Sequence, residues 1–126
     1  MIAVGRALCR WREQDTTLAG LGLKARLVTD ENAQVAEGAR SVLSLRLEAS
    51  ESRAVVPFVC TEELKASTPE ALPALLEAVL AALNGKAYLI DPDATIHRIA
   101  LRGASIDRDP GLAVTATLEW EGLASW

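Results

Sequence analysis

Any reaction run by this chain would have to use a short roster of side chains. His97 is the only histidine among 126 residues, and an imidazole can serve as acid or base near neutral pH. It falls inside an alternating segment, and no motif sets a serine or cysteine nucleophile beside it, so an ordinary strand histidine is the simpler reading. Asp91 with Asp93, and Asp107 with Asp109, have the spacing of paired carboxylate ligands. Each pair brackets or precedes a proline turn, however, and carboxylates serve such turns by accepting backbone hydrogen bonds. Cys9 and Cys60 are isolated and lack CxxC spacing. They signal neither a zinc site nor a disulfide framework and read as buried, inert thiols of a reducing compartment. Gly20, Gly22 and Ala25 satisfy the spacing of a dinucleotide-binding turn. That turn needs a strand before it and a helix after it, and here the order is reversed. Walker loop, zinc ladder and nucleophile elbow are all missing from the sequence. The residues therefore predict no catalytic, cofactor-binding or metal-binding site.

Charge narrows the partners. Seventeen acidic against 13 basic residues give a formal charge of −4, which argues against a protein that holds nucleic acid by broad phosphate neutralisation. The first 30 residues run the other way, with Arg6, Arg10, Arg12, Lys24 and Arg26 against Glu13, Asp15 and Asp30. A solvated face explains such a bias without a ligand. Met1 leads into an amphipathic pattern, so neither a secretion signal nor a membrane span is expected. With 126 residues the chain suits a single domain, residues 1–126, large enough to bury a core without staples. Only 4% of the residues are aromatic, so that core must be built mainly from Leu, Val, Ile and Ala.

The element that must organise the core is the segment 67–85. Leu72, Leu75, Leu76, Val79, Leu80 and Leu83 fall in one helical stripe. Ser67 with Glu70 has capping-box spacing, Thr68 before Pro69 suits an N-cap, and Asn84–Gly85 supplies the exit. Pro73 is expected to remove a hydrogen bond and bend the first turn. Ala71, Ala74, Ala78, Ala81 and Ala82 lie on the other side with only Glu70 and Glu77 as charges, a surface that permits close approach by another layer or subunit. Residues 2–13 form a second predicted helix with Val4, Ala7, Leu8 and Trp11 on one face. Residues 14–22 read as a connector, 23–29 as a short strand and 30–38 as a loop. A hairpin follows from strands 41–49 and 54–60, the second placed at an edge or bulged at Pro57, and 61–66 leads into the central helix. Residues 87–90 make a short extended piece, 95–102 a strand with His97, Ile99 and Leu101 on one face, and 107–111 the loop to a final strand over 112–121. The expected fold is α+β, two helices packed on a mostly antiparallel sheet of four to five strands.

The second half of the chain carries a resemblance. An Ala/Leu helix (PEALPALLEAVLAALNG), a strand ending LRGASIDRD, a Pro-Gly turn and the alternating strand GLAVTATLEWEG follow one another. This run, from Leu72 to Trp120, resembles the tail terminator proteins of long-tailed bacteriophages, also called minor tail or tail completion proteins. The resemblance implies a non-enzymatic structural protein, assembled in the host cytoplasm and located at the tail end of the virion. Its α/β subunits would form a homohexameric ring that stacks on the tail tube protein, stops tube growth and meets the head-tail connector. The longer segment before the central helix and the arginine-rich N-terminal helix depart from that pattern. They leave two alternatives open, a neck or head-closure protein of the same particle and a small non-viral interaction domain. Contacts between copies or partners are expected along the first helix at Arg6, Arg10 and Trp11, and around the last hairpin at Arg98, Arg102, Asp107, Arg108 and Asp109.

Overall fold

A computed structural model describes residues 2–30, 38–48, 54–106 and 114–126. The chain runs α1 (Ile2–Gln14), α2 (Thr16–Gly20), β1 (Lys24–Leu27), β2 (Arg40–Leu47), β3 (Val56–Lys65), α3 (Leu72–Leu83), β4 (Lys86–Ile90), β5 (Thr95–Ile106) and β6 (Thr115–Ser125). The six strands form one sheet in the order β1-β2-β3-β6-β5-β4, with β1 and β2 parallel and every other neighbouring pair antiparallel.

This corrects the expected fold class. The molecule is mostly β, a six-stranded sheet curled into a half-barrel, with three short helices of which only two reach seven residues. It is not a pair of helices on four or five strands, and it departs from the α/β subunit that the resemblance implied. Two features account for the difference. Lys86–Ile90 is a complete edge strand even though four of its five side chains are exposed. β3 continues five residues past Cys60, through a segment read as a lead-in to the helix. An acidic residue, Glu62, takes an inward position in β3 and disguises its alternation, whereas Phe58, Cys60 and Leu64 on the same face are buried apolar residues.

β3 is a central strand paired along its length with β6, so Pro57 lies at no edge. Proline is tolerated there because β2 is ending: Glu48 donates its N–H to the Pro57 carbonyl at 3.0 Å, and Pro57 has no N–H to return. β5 is bulged against β6 at His97 and at Arg102, where the register shifts. The bulge at His97 breaks strict alternation, so Ile96 and Ile99 are the buried pair while His97 is half-buried, unlike the predicted face of His97, Ile99 and Leu101.

The helices follow their local signals. Thr68 caps a 3-10 turn at Pro69–Ala71, and α3 then starts at Leu72. Pro73 thus occupies the first turn, where no intrahelical donor is missed, and the expected bend has no cause. Leu72, Leu75, Val79 and Leu83 are buried, Leu76 and Leu80 flank the core, and Ala74 and Ala81 face solvent while Ala82 is buried. Asp15 and Leu18 turn the predicted connector into α2: the carboxylate accepts the Leu18 N–H at 3.0 Å, and Leu18 is fully buried. α1 buries Val4, Ala7 and Leu8 as predicted.

Gly5 marks close approach, since a Cβ there would sit 2.4 Å from Leu27 Cδ2. The obstruction is the end of a flexible side chain, and alanine is the better helix former by about 0.8–1.0 kcal/mol. Gly5→Ala is expected to change stability by less than about 1 kcal/mol, as measured by urea unfolding.

Candidate interaction surfaces

The three arginines of α1 point to three different parts of the sheet. Arg6 Nη2 lies 2.9 Å from Asp30 just past β1. Arg10 forks onto Asp91, Nε at 2.9 Å and Nη2 at 2.6 Å, and its Nη2 also bonds Asp93. Asp91 in turn accepts the Asp93 N–H at 3.0 Å, the turn role expected of these carboxylates. Trp11 donates its indole N–H to the Ala82 carbonyl at 3.1 Å and so ties α1 to α3. All three α1 residues proposed as partner contacts are engaged within the fold.

The third arginine is the surprise. Arg12, expected on the polar side of the helix, is fully buried with Glu62. Its Nε and Nη2 bond the two carboxylate oxygens at 2.9 and 2.8 Å, and Nη1 donates to the Leu8 carbonyl at 3.0 Å. Trp120 Nε1 donates to Glu62 at 2.9 Å, and Ser41 Oγ donates to it as well. Burial alone would push the Glu62 carboxyl up, but the Arg12 charge and the converging donors outweigh it and hold the carboxyl below its usual range. The group is a satisfied polar island between α1, β2, β3 and β6.

Both cysteines are buried. Burial pushes the Cys9 thiol up to about 11 and the Cys60 thiol up to about 12, against the lowering influence of Arg12. Thiolate is the reactive form, so neither cysteine is expected to react with a thiol-disulfide reagent until the protein unfolds. Stoichiometric labelling of the native protein would contradict that.

On the opposite, outer face of the sheet, Arg98 is exposed beside Glu48 and Glu121 in an open groove of about 460 Å³ floored by Pro57, Ala100 and Leu123. Arg102 lies across the strands, 3.8 Å from Glu48 and 3.5 Å from Glu119. Asp107, Arg108 and Asp109 lie outside the described residues. His97 is also outside this groove: its Nε2 is 2.8 Å from Ser125 Oγ, and the Tyr88 ring meets it edge-on at 5.9 Å. Among the described residues no group of three His, Cys, Asp or Glu side chains could hold a metal ion, and no helix is long and apolar enough to cross a membrane.

The two lateral sides of the sheet are unlike. On β1 the outward N–H groups of Ala25 and Leu27 are taken by Glu13 Oε1 at 3.1 Å and Asp30 Oδ2 at 2.8 Å, and Arg26 pairs with Glu13 at 2.5 Å. Carboxylates thus seal that edge against further strands. β4, at the other side, carries the two most exposed large hydrophobic residues described, Tyr88 at 71% and Ile90 at 79%. Trp126, 54% exposed, follows β6 next to them across Thr95. These side chains were absent from the predicted contacts because the alternation rule identifies buried faces and is silent about exposed ones. No family model and no curated protein matches the chain.

Among the described residues, three carboxyls are held below their ordinary values. Glu62 is lowered as above. For Asp30 burial works upward, and the Leu27 N–H and Arg6 overcome it, while for Asp91 the Arg10 hydrogen bonds dominate. A group whose folded-state pKa is depressed adds stability above its unfolded value and loses it as the pH falls through the folded value. The ordinary values are 4.5 for Glu and 3.8 for Asp. Stability contributed by these groups should therefore hold from neutrality to about pH 4.5 and decline below it. Urea midpoints measured from pH 7 to pH 3 would show this, and a midpoint that rises on acidification would contradict it.

Proposed function

We propose that this chain is a structural ring subunit of a bacteriophage tail, of the tail terminator kind. Its copies close into a hexamer that caps the tail tube and presents a surface to the head-tail connector. The observation that carries the reading is the unlikeness of the sheet's two sides, β1 sealed by carboxylates that pair with Arg6 and Arg26, β4 displaying Tyr88 and Ile90. A head-to-tail contact joins two different surfaces of the same chain, and such contacts generate closed rings where the rotation closes. Support also comes from the polar groups. The arginines and carboxylates of α1 and the Asp91–Asp93 turn are engaged in holding elements together, and the imidazole of His97 faces a serine hydroxyl and an aromatic edge. The segments on which the resemblance rests form α3, β4, β5 and β6, one helix followed by three strands.

Electron microscopy of the purified protein tests the reading. Six-lobed rings are expected, each of six chains of 13.4 kDa or about 80 kDa. Particles no larger than a monomer or dimer at high micromolar concentration would overturn it in favour of a stand-alone interaction domain.

A further inference from the structure

We propose that α1 is a strap across the open side of the half-barrel and that its Arg10 contact is a releasable latch. The latch holds a wing made of β4, the turn at Asp91–Ala94 and the first residues of β5. α1 is joined to both lateral limits of the sheet: Glu13 holds β1 through the Ala25 N–H and Arg26, and Arg10 holds the wing through Asp91 and Asp93. Between them in sequence, Arg12 and Glu62 anchor the last turn of the helix to β3.

The anchors differ in their access to water. The side chains of Arg12 and Glu62 are 0% exposed, whereas Arg10 is 38% exposed with Asp91 at 14% and Asp93 at 49%, and the Arg26–Glu13 pair is 42% and 37% exposed. Opening the buried pair would strand two charges in a dry interior. Opening the solvated fork exchanges protein partners for water at small net cost. The Arg10 contact can therefore open, as can the Arg26–Glu13 pair at the other side, and of these two it is the one that holds the wing.

The wing's own backbone favours local movement. β5 shifts register against β6 at His97 and again at Arg102, and Tyr88, opposite His97 on β4, has φ 54°. A left-handed conformation is costly for an aromatic residue. These irregularities interrupt the ladders that would stiffen the wing against the rest of the sheet. Leu89, Ala94 and Ile96 of the wing are buried in the core, so the movement is a limited local opening and not a detachment. Its consequence is that the position of the Tyr88 and Ile90 surface relative to α1 responds to whether the Arg10 fork is closed. This inference stands apart from the ring reading, since it concerns the single chain.

Amide hydrogen exchange followed by mass spectrometry tests it on the wild type, Arg10→Gln and Arg6→Gln. Arg10→Gln is expected to accelerate exchange of the amides of residues 86–97 by about two- to fivefold and to leave the β2–β3 ladder unchanged. Arg6→Gln, which removes an ion pair at the other side, is expected to leave the wing unchanged. Arg10→Lys keeps the charge without the fork and should fall between. Unchanged exchange of the wing in Arg10→Gln, or an acceleration spread evenly over all strands, would overturn the proposal. Should Arg10→Gln not fold, the wild type in high salt provides the same test: acceleration confined to residues 86–97 supports the latch, and its absence overturns it.

Discussion

Glu62→Gln is expected to lower the unfolding free energy by about 3–5 kcal/mol, because it leaves the Arg12 guanidinium charged and uncompensated in a dry interior. Glutamine preserves the shape but keeps only one acceptor oxygen and turns an NH2 toward two of the four donors, so the loss combines charge with hydrogen bonding while sparing the packing. A domain of this size has about 5–15 kcal/mol of stability; the variant should be marginal at room temperature. The double variant Arg12→Met with Glu62→Leu removes both charges and is expected to recover more than half of the loss. Recovery stays incomplete because Glu62 also accepts from Ser41 and Trp120, and those two donors would then be left without an acceptor. Urea unfolding of the three proteins supplies the comparison. A single variant within about 1 kcal/mol of wild type would show that Arg12 finds another way to be satisfied.

Gly122→Ala should cost about 2–3 kcal/mol. A Cβ at this position of β6 would lie 2.4 Å from the Arg98 carbonyl oxygen and 2.7 Å from Phe58 Cζ. The first obstruction is backbone in the neighbouring strand and the second is a fully buried ring, so neither can give way cheaply. The contrast with Gly5, where the obstruction is the tip of Leu27, makes the pair of alanine variants a test of the packing as a whole. If the two cost the same, the close approach of β5 to β6 at Gly122 is wrong.

Sequence patterning read the apolar architecture well wherever the residue types agreed with the positions. The helical stripe from Leu72 to Leu83 and the inward set Ala116, Leu118 and Trp120 fall where periodicity placed them, whereas in β2 Ser41, Val42 and Leu43 are buried in succession and Leu47, expected inward, is exposed. It failed where a polar residue occupies a core position or the backbone breaks step. Glu62 hides the second half of β3 because a buried carboxylate with four donors looks, in one dimension, like a loop residue. Its partner Arg12 was placed on the solvent side for the same reason, and pairing across 50 residues leaves no trace in local spacing. The bulge at His97 shifted the predicted face of β5 by one residue, and no turn residue announces it.

The expected contact residues divide in a comparable way. Arg6, Arg10 and Trp11 are conspicuous in the sequence, yet they serve the fold, with Asp30, Asp91, Asp93 and the Ala82 carbonyl as partners. Arg98 and Arg102 do lie on the exposed outer face. Tyr88 and Ile90 sit in a five-residue segment with no periodicity to single them out, and only the sheet order shows that they form a lateral side of the molecule.

The central claim is that copies of this chain meet through unlike sides, with the β4 side as one of the two surfaces. Native mass spectrometry of the wild type beside the variant Tyr88→Lys with Ile90→Lys tests that most directly, because both substitutions fall on side chains more than 70% exposed and so spare the core. The account predicts a six-chain assembly for the wild type and single chains of unchanged secondary structure for the variant. A wild type that flies as one chain at every concentration, or a variant that assembles as well as the wild type, would contradict it.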